Sequence, residues 1–154
     1  MKNKYWDGEN WLIKVNQDNK ILYYLDGILH RNDGPAFIPF YSNGSYVEHY
    51  FQNGKRHREN KPAIIEYYND GITVYIEKYI FNGELHRKDG PADINYDRFG
   101  NIIVQNYYFN GIKFNPDVLP FEMPIDSEEK EFLFKLKYGV KNVLFGWDQL
   151  VGGS

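Results

Sequence analysis

The chain has no cysteine among its 154 residues, which removes disulfide frameworks, thiol nucleophiles and thiolate metal sites together. Long apolar runs are missing as well: nothing approaches the roughly 20 residues of a membrane-spanning helix, and Met1 to Tyr5 has no apolar signal core. Neither charge sign is in large excess. With a formal net charge of −3 and an isoelectric point near 5.8, the molecule as a whole does not attract nucleic-acid phosphates, so general nucleic-acid binding is not expected. There is no His-x-x-x-His pair, Gly-x-Ser-x-Gly elbow or phosphate-cradling glycine loop. These absences lead to the expectation of a soluble, cytoplasmic, non-enzymatic protein without a cofactor.

What is abundant is aromatic. Tyrosine (14) and phenylalanine (11) dominate a hydrophobic share of 42%, with 3 tryptophans and little alanine or leucine. Flat rings pack well on pleated surfaces and lose rotamer freedom in helices, so this skew favours strands. The length allows one continuous core.

The rings recur with a period. Tyr23-Tyr24-Leu25-Asp26-Gly27, Tyr50-Phe51-Gln52-Asn53-Gly54, Tyr79-Ile80-Phe81-Asn82-Gly83 and Tyr107-Tyr108-Phe109-Asn110-Gly111 are four versions of one segment, repeated at a nearly constant interval. Three are followed by a second shared block: His30-Arg31-Asn32-Asp33-Gly34-Pro35-Ala36, His57-Arg58-Glu59-Asn60-Lys61-Pro62-Ala63 and His86-Arg87-Lys88-Asp89-Gly90-Pro91-Ala92. A mid-repeat turn is marked by Asn43-Gly44, Asp70-Gly71 and Phe99-Gly100. Asn-Gly and Asp-Gly between apolar runs predict type I′ hairpins, which need positive φ at both central residues. Each Pro then opens a strand where a missing N–H does least harm. Alternation places Ala36, Ile38 and Phe40 on one face, with Ala63, Ile65, Tyr67 and Ala92, Ile94, Tyr96 equivalent. The opposite face of the third copy, Asp93, Asn95 and Asp97, is expected to be wet. In the returning strands, Tyr46, Glu48 and Tyr50 alternate with Val47, His49 and Phe51, so aromatic cross-strand pairs are expected on both faces.

The predicted fold is therefore mainly β: a single elongated, twisted antiparallel sheet of stacked hairpin repeats over residues 1–115, with a shortened first unit at 1–26. Past Phe114 the periodicity stops. Pro116, Pro120 and Pro124 break strands, and Asp126-Ser127-Glu128-Glu129 opens a helix with the pattern of a capping box. Residues 116–154 are expected to form a capping segment with one or two short helices over the open end of the sheet.

The block His-Arg-x-x-Gly-Pro-Ala, joined to the Asn-Gly hairpins, resembles a divergent class of MORN (membrane occupation and recognition nexus) repeats associated with bacteriophages, giant viruses and some bacteria. The resemblance spans about residues 20 to 114. Lys61 stands where the second copy should have Gly, and Phe114-Asn115 where the fourth should have His-Arg. The resemblance implies stacked hairpins. For function it implies a binding module: a small viral or phage accessory protein that binds and blocks a host protein as a counter-defence inhibitor, then located in the host cytoplasm. It also admits a peripheral membrane or scaffold role, although the negative net charge disfavours membrane association.

The candidate site is the ladder His30, Arg31, His57, Arg58, His86 and Arg87. Stacked in register, these residues recur roughly every 10 Å along one edge. Guanidinium forks suit phosphates and carboxylates, so one reading is an anion-binding stripe that holds a small anionic nucleotide, such as a cyclic nucleotide, or an acidic loop of a partner. The other reading is architectural: Asp33, Glu59 and Asp89 are near enough in sequence to pair with the arginines, and the histidines hydrogen-bond turn backbone. One shared metal ion is excluded by the rung spacing, because ligand bonds are about 2 Å. The tyrosine rows admit a glycan-binding platform or, more simply, the core of a thin sheet. Exposed strand edges leave homo-oligomerisation open.

Overall fold

The computed structural model describes residues 1–115, and all regular structure there is β. The strands are β1 (Lys2–Trp6), β2 (Trp11–Gln17), β3 (Lys20–Leu25), β4 (Ile28–Leu29), β5 (Phe37–Pro39), β6 (Val47–His49), β7 (Phe51–Gln52) and β8 (Lys55–Arg56), followed by β9 (Ile64–Tyr67), β10 (Val74–Lys78), β11 (Ile80–Phe81), β12 (Glu84–Leu85), β13 (Asp93–Tyr96), β14 (Ile102–Phe109) and β15 (Ile112–Phe114). Ten of them run in the order β1-β2-β3-β5-β6-β9-β10-β13-β14-β15 through one open antiparallel sheet, with β4 added on β3. The pairs β7–β8 and β11–β12 are separate two-stranded hairpins. The expected antiparallel sheet of hairpins is present. The helical cap expected over 116–154 lies outside the described residues. Among the described residues no helix is long and apolar enough to cross a membrane.

Two kinds of reversal build each unit. Asp26-Gly27, Asn53-Gly54, Asn82-Gly83 and Asn110-Gly111 have positive φ at both positions, between +48° and +94°. They are the expected two-residue turns, whose twist matches that of the flanking strands. The mid-repeat turns differ from the expectation: only Gly44, Gly71 and Gly100 have positive φ, while Asn43, Asp70 and Phe99 do not. The chain closes there through longer loops, with Tyr41 N–H on Ser45 O, Tyr68 N–H on Thr73 O and Asp97 N–H on Asn101 O. Side-chain carboxyl oxygens hold the loop backbones: Asp70 accepts from Ile72 and Thr73 N–H, and Asp97 from Phe99 and Asn101 N–H. This geometry explains why Phe99 is tolerated beside the turn glycine, since a type I′ turn would force its bulky side chain into positive φ.

Alternation sorts the faces as the sequence pattern requires. Glu48, Ile65, Glu77, Ile94 and Gln105 lie opposite one another in successive strands and share one face. Ala36, Ala63 and Ala92 are completely buried, and Ile65 and Ile94 nearly so. Cross-strand rings reinforce the sheet: Tyr46 stacks on Tyr67 at 4.5 Å, and Trp6 meets Trp11 at 5.4 Å. Tyrosine hydroxyls on the Ile65 face find carboxylates, since Tyr50 donates to Glu48 at 3.0 Å and Tyr96 to Glu77 at 2.8 Å. Burial and the adjacent Glu48 push the Tyr50 hydroxyl up to about 12, so it stays a donor. The acidic face of the third copy is drier than expected. Asp93 is half-buried between Lys78, at 3.7 Å, and the Asn106 amide, at 3.2 Å.

His49 is stacked on Phe37 with ring centroids 5.1 Å apart and planes within 10°. Burial, aided by the nearby Arg56 cation, lowers its pKa to about 4. The folded protein therefore holds it neutral, whereas the unfolded chain protonates it below its ordinary value near 6.5. Stability from this group is complete above pH 6.5 and is lost as pH falls toward 4. Chemical denaturation across that range should show wild type losing about 1–2 kcal/mol more than His49→Phe, which keeps the stacking without the titration. Equal pH slopes for the two proteins would refute the assignment.

Candidate functional site

The His-Arg blocks follow the type I′ hairpins, and the structure gives each repeated position in them a mechanical part. His30 Nδ1 accepts the backbone N–H of Asn53 at 3.1 Å, His57 Nδ1 that of Asn82 at 3.2 Å, and His86 Nδ1 that of Asn110 at 3.1 Å. Each histidine thus caps the positive-φ turn of the following unit. Backbone bonds run along the same seam. Arg31 N–H donates to Phe51 O, Arg58 N–H to Ile80 O and Arg87 N–H to Tyr108 O, while Gly54, Gly83 and Gly111 N–H donate to Leu29, Arg56 and Leu85 O. The rings join the row: His57 and Phe81 centroids are 4.6 Å apart, as are His86 and Phe109.

The arginines turn back onto their own units. Arg31, Arg58 and Arg87 stack over Tyr23, Tyr50 and Tyr79 at 4.1, 3.7 and 3.9 Å, and their Nη1 groups donate to Pro35, Pro62 and Pro91 O. Such stacking contributes about 0.5–2 kcal/mol depending on desolvation. In the first block Gly34 leaves room for the fold-back, because a Cβ there would lie 2.9 Å from the Arg31 guanidinium carbon; in the second block Lys61 holds that position and Arg58 folds back all the same. Each alanine accepts the N–H of its own unit's tyrosine and donates to the next returning strand, Ala63 joining Tyr50 to Lys78 and Ala92 joining Tyr79 to Asn106.

The three blocks are not equivalent electrostatically. Arg31 pairs with Asp33 at 2.6 Å and Arg87 with Asp89 at 2.7 Å. Tyr5 closes the first block by accepting from Arg31 and donating to Asp33. Asp7 is buried beneath that block. Burial opposes its charge, yet the backbone N–H groups of Asn10, Asn32 and Glu9, with His30 nearby, hold its carboxyl below the usual range. In the second block Asn60 takes the place of the aspartate and adopts φ of +54°, and Lys61 replaces glycine. Glu59, expected to pair with Arg58, does not: among the described residues Arg58 has no carboxylate within ion-pair distance.

Beside Arg58 opens a groove of about 530 Å³, walled by the second and third blocks through Arg58, Glu59, Asn60, Arg87, Lys88 and Asp89 and lined by the rings of Tyr79, Phe81, His86 and Phe109. The structure thus sets His57, Arg58, His86 and Arg87 around or beside one groove and leaves His30 and Arg31 outside its lining. The ring lining is not legible in the sequence, because Tyr79, Phe81 and Phe109 carry the pattern of ordinary strand residues. The departure at Asn60-Lys61 is the signal that points to it. Among the described residues no group of His, Asp and Glu side chains is placed to hold a metal ion.

The seam makes a direct prediction. His57→Ala leaves the Asn82 N–H without its acceptor, and should cost about 1–3 kcal/mol in denaturant unfolding while accelerating hydrogen exchange at Asn82 more than at residues of β2. Unchanged exchange at Asn82 would show that the imidazole bond does not hold the turn. Comparison with family models, with curated proteins and with solved structures finds no match to the chain, so the reading of the groove rests on its own geometry.

Proposed function

We propose that the protein is a non-enzymatic binding module that occupies and blocks a partner protein, with the groove at Arg58 receiving an acidic segment of that partner. One observation carries this reading: of three guanidinium groups placed alike by the repeat, Arg58 is the one with no carboxylate within ion-pair distance among the described residues, and it stands at a groove lined by aromatic rings, with Glu59 and Asp89 in the same lining. A flat, weakly hydrated cation next to apolar surface suits a partner carboxylate presented with an apolar neighbour. The strongest shifts in proton affinity, at His49, Tyr50, Tyr67 and Tyr96, belong to groups outside the groove lining and arise mainly from burial in the sheet, which suits a structural part for them. The resemblance to viral and phage repeats makes a host protein the expected target, in the host cytoplasm.

A second reading keeps the same groove and replaces the partner by a small anionic nucleotide. Its support is the size of the groove, within the usual range for small-ligand sites, and the chance for a base to lie on the exposed Phe81 ring.

Two variants test the groove without dismantling the seam. Arg58→Ala removes the cation, and Asn60→Asp with Lys61→Gly rebuilds the loop of the first and third blocks so that Arg58 is paired internally. Affinity capture from host lysate should yield a dominant protein with wild type, and both variants should weaken its binding about tenfold or more, with the double variant no less stable than wild type. Capture that is insensitive to both variants would remove the groove from the argument. Calorimetric titration with a cyclic dinucleotide decides for the second reading if it gives saturable, Arg58-dependent heat.

A further inference from the structure

We propose that the outer edge of β14, Ile102–Asn106, is a strand-addition site for an extended segment of a partner protein in which a small, an aliphatic and an aromatic residue alternate, as they do through β9 and β13. The inference is independent of the groove at Arg58, and the two surfaces can fail separately.

Within the array, three strands already carry such a neighbour on the same side. β5 lies against β3, β9 against β6 and β13 against β10. In the last two, the register is shared: Ile65 opposes Glu48 and Ile94 opposes Glu77, with Ala63 and Ala92 one step behind and Tyr67 and Tyr96 one step ahead on the same face. Aligning Tyr107 with Tyr50 and Tyr79 places Gln105 where those glutamates stand. The interval from the unit's tyrosine to its alanine is identical in the three complete copies, Tyr23 to Ala36, Tyr50 to Ala63 and Tyr79 to Ala92. The same step from Tyr107 reaches Pro120, and no Gly-Pro-Ala block precedes it. Among the described residues the sheet therefore ends one strand short of the pattern that built it.

The edge left behind is chemically open. Asn106 O accepts the N–H of Ala92, the residue before β13. Alternation then turns the N–H and C=O of Gln105 outward, where they have no partner among the described residues. Ile102, Ile103 and Val104 are 52%, 58% and 42% exposed. No residue from Asn101 to Phe109 is charged. The opposite edge of the sheet is guarded, since β1 carries Lys2 and Lys4, the device that ordinarily keeps edge strands from pairing. An uncharged edge continuous with three existing seams fits an alternating strand whose own ladder groups are free to pair. Gln105 gives that strand a further determinant. Tyr96 donates to Glu77 and Tyr67 lies 3.4 Å from Glu48 in the equivalent seams, so an incoming tyrosine has the Gln105 amide oxygen as acceptor.

The probe is a synthetic peptide copying Pro91 to Asp97, Pro-Ala-Asp-Ile-Asn-Tyr-Asp, added to the full ¹⁵N-labelled chain. Binding should shift the amides of Ile102–Asn106 and newly protect the outward N–H of Gln105. A peptide with the alternation displaced by one residue should not bind, because displacement sends every side chain to the wrong face. Gln105→Pro, which removes an outward N–H while leaving the inner ladder, should weaken binding about tenfold or more. Ile103→Lys serves as a second edge-blocking variant should the proline disturb folding, and Arg58→Ala should leave peptide binding unchanged. No binding, shifts confined to the groove, or equal affinity for the displaced peptide would overturn the proposal. So would edge amides already protected in the isolated monomer, or a dimer in sedimentation that Gln105→Pro dissolves, since the edge would then belong to this chain or to a second copy.

Discussion

The arrangement depends on a hydrogen bond that a repeat makes outside itself. A type I′ turn places its first residue in a left-handed conformation and leaves that residue's N–H pointing away from the hairpin, toward the preceding unit. An imidazole nitrogen meets it in all three seams, from His30, His57 and His86. These donors lie on exposed turn residues and the bonds are part-buried in two seams and exposed in the third, so each is worth about 1 kcal/mol and ties one unit to the next. The remaining signature residues serve the same joint. Arginine covers the tyrosine beneath it, Gly34 leaves space for Arg31 in the first block, proline supplies the carbonyl that arginine grips, and alanine is small enough to bridge two strands with no exposure.

Much of this is legible in the residues. The glycine spacing, the alternation after each proline and the aromatic excess specify an antiparallel sheet of hairpins, and the buried Ala36, Ala63, Ile65, Ala92 and Ile94 lie on the face that alternation assigns to them. The mid-repeat turns are harder, because Asn-Gly and Asp-Gly serve both two-residue turns and longer loops with one left-handed glycine. Only Phe99, a side chain that resists positive φ, carries the distinction. For the ladder, two readings stay open in the sequence because a histidine followed by an arginine looks the same whether it faces solvent or a neighbouring turn. What decides is the register between successive units, and that is a tertiary fact.

A repeat makes exceptions informative. Where Arg31 and Arg87 are paired, the array spends its charges internally. Where Asn60 and Lys61 interrupt the pattern, a guanidinium is held in the same place, on the equivalent Tyr50, with no counter-charge at ion-pair distance among the described residues. The scaffold therefore positions Arg58 through contacts that have nothing to do with a ligand, so little side-chain entropy is left to lose on association. The uncharged edge of β14, unpaired among the described residues at Ile102–Asn106, is a second interruption of the same kind, made by a missing block and not by a substitution.

The reach of the seam bonds also governs how the molecule comes together. Each histidine contacts a turn only 23 to 25 residues further along, and strand pairing likewise joins near neighbours in the chain. Loop closure of that size is cheap, and no long-range contact has to form before others can. In such an array, ordering that starts at any unit presents the surface on which its neighbour is laid down. Whole units can then be gained or lost by duplication and deletion in the gene, each change altering the length of the molecule without redesigning a core.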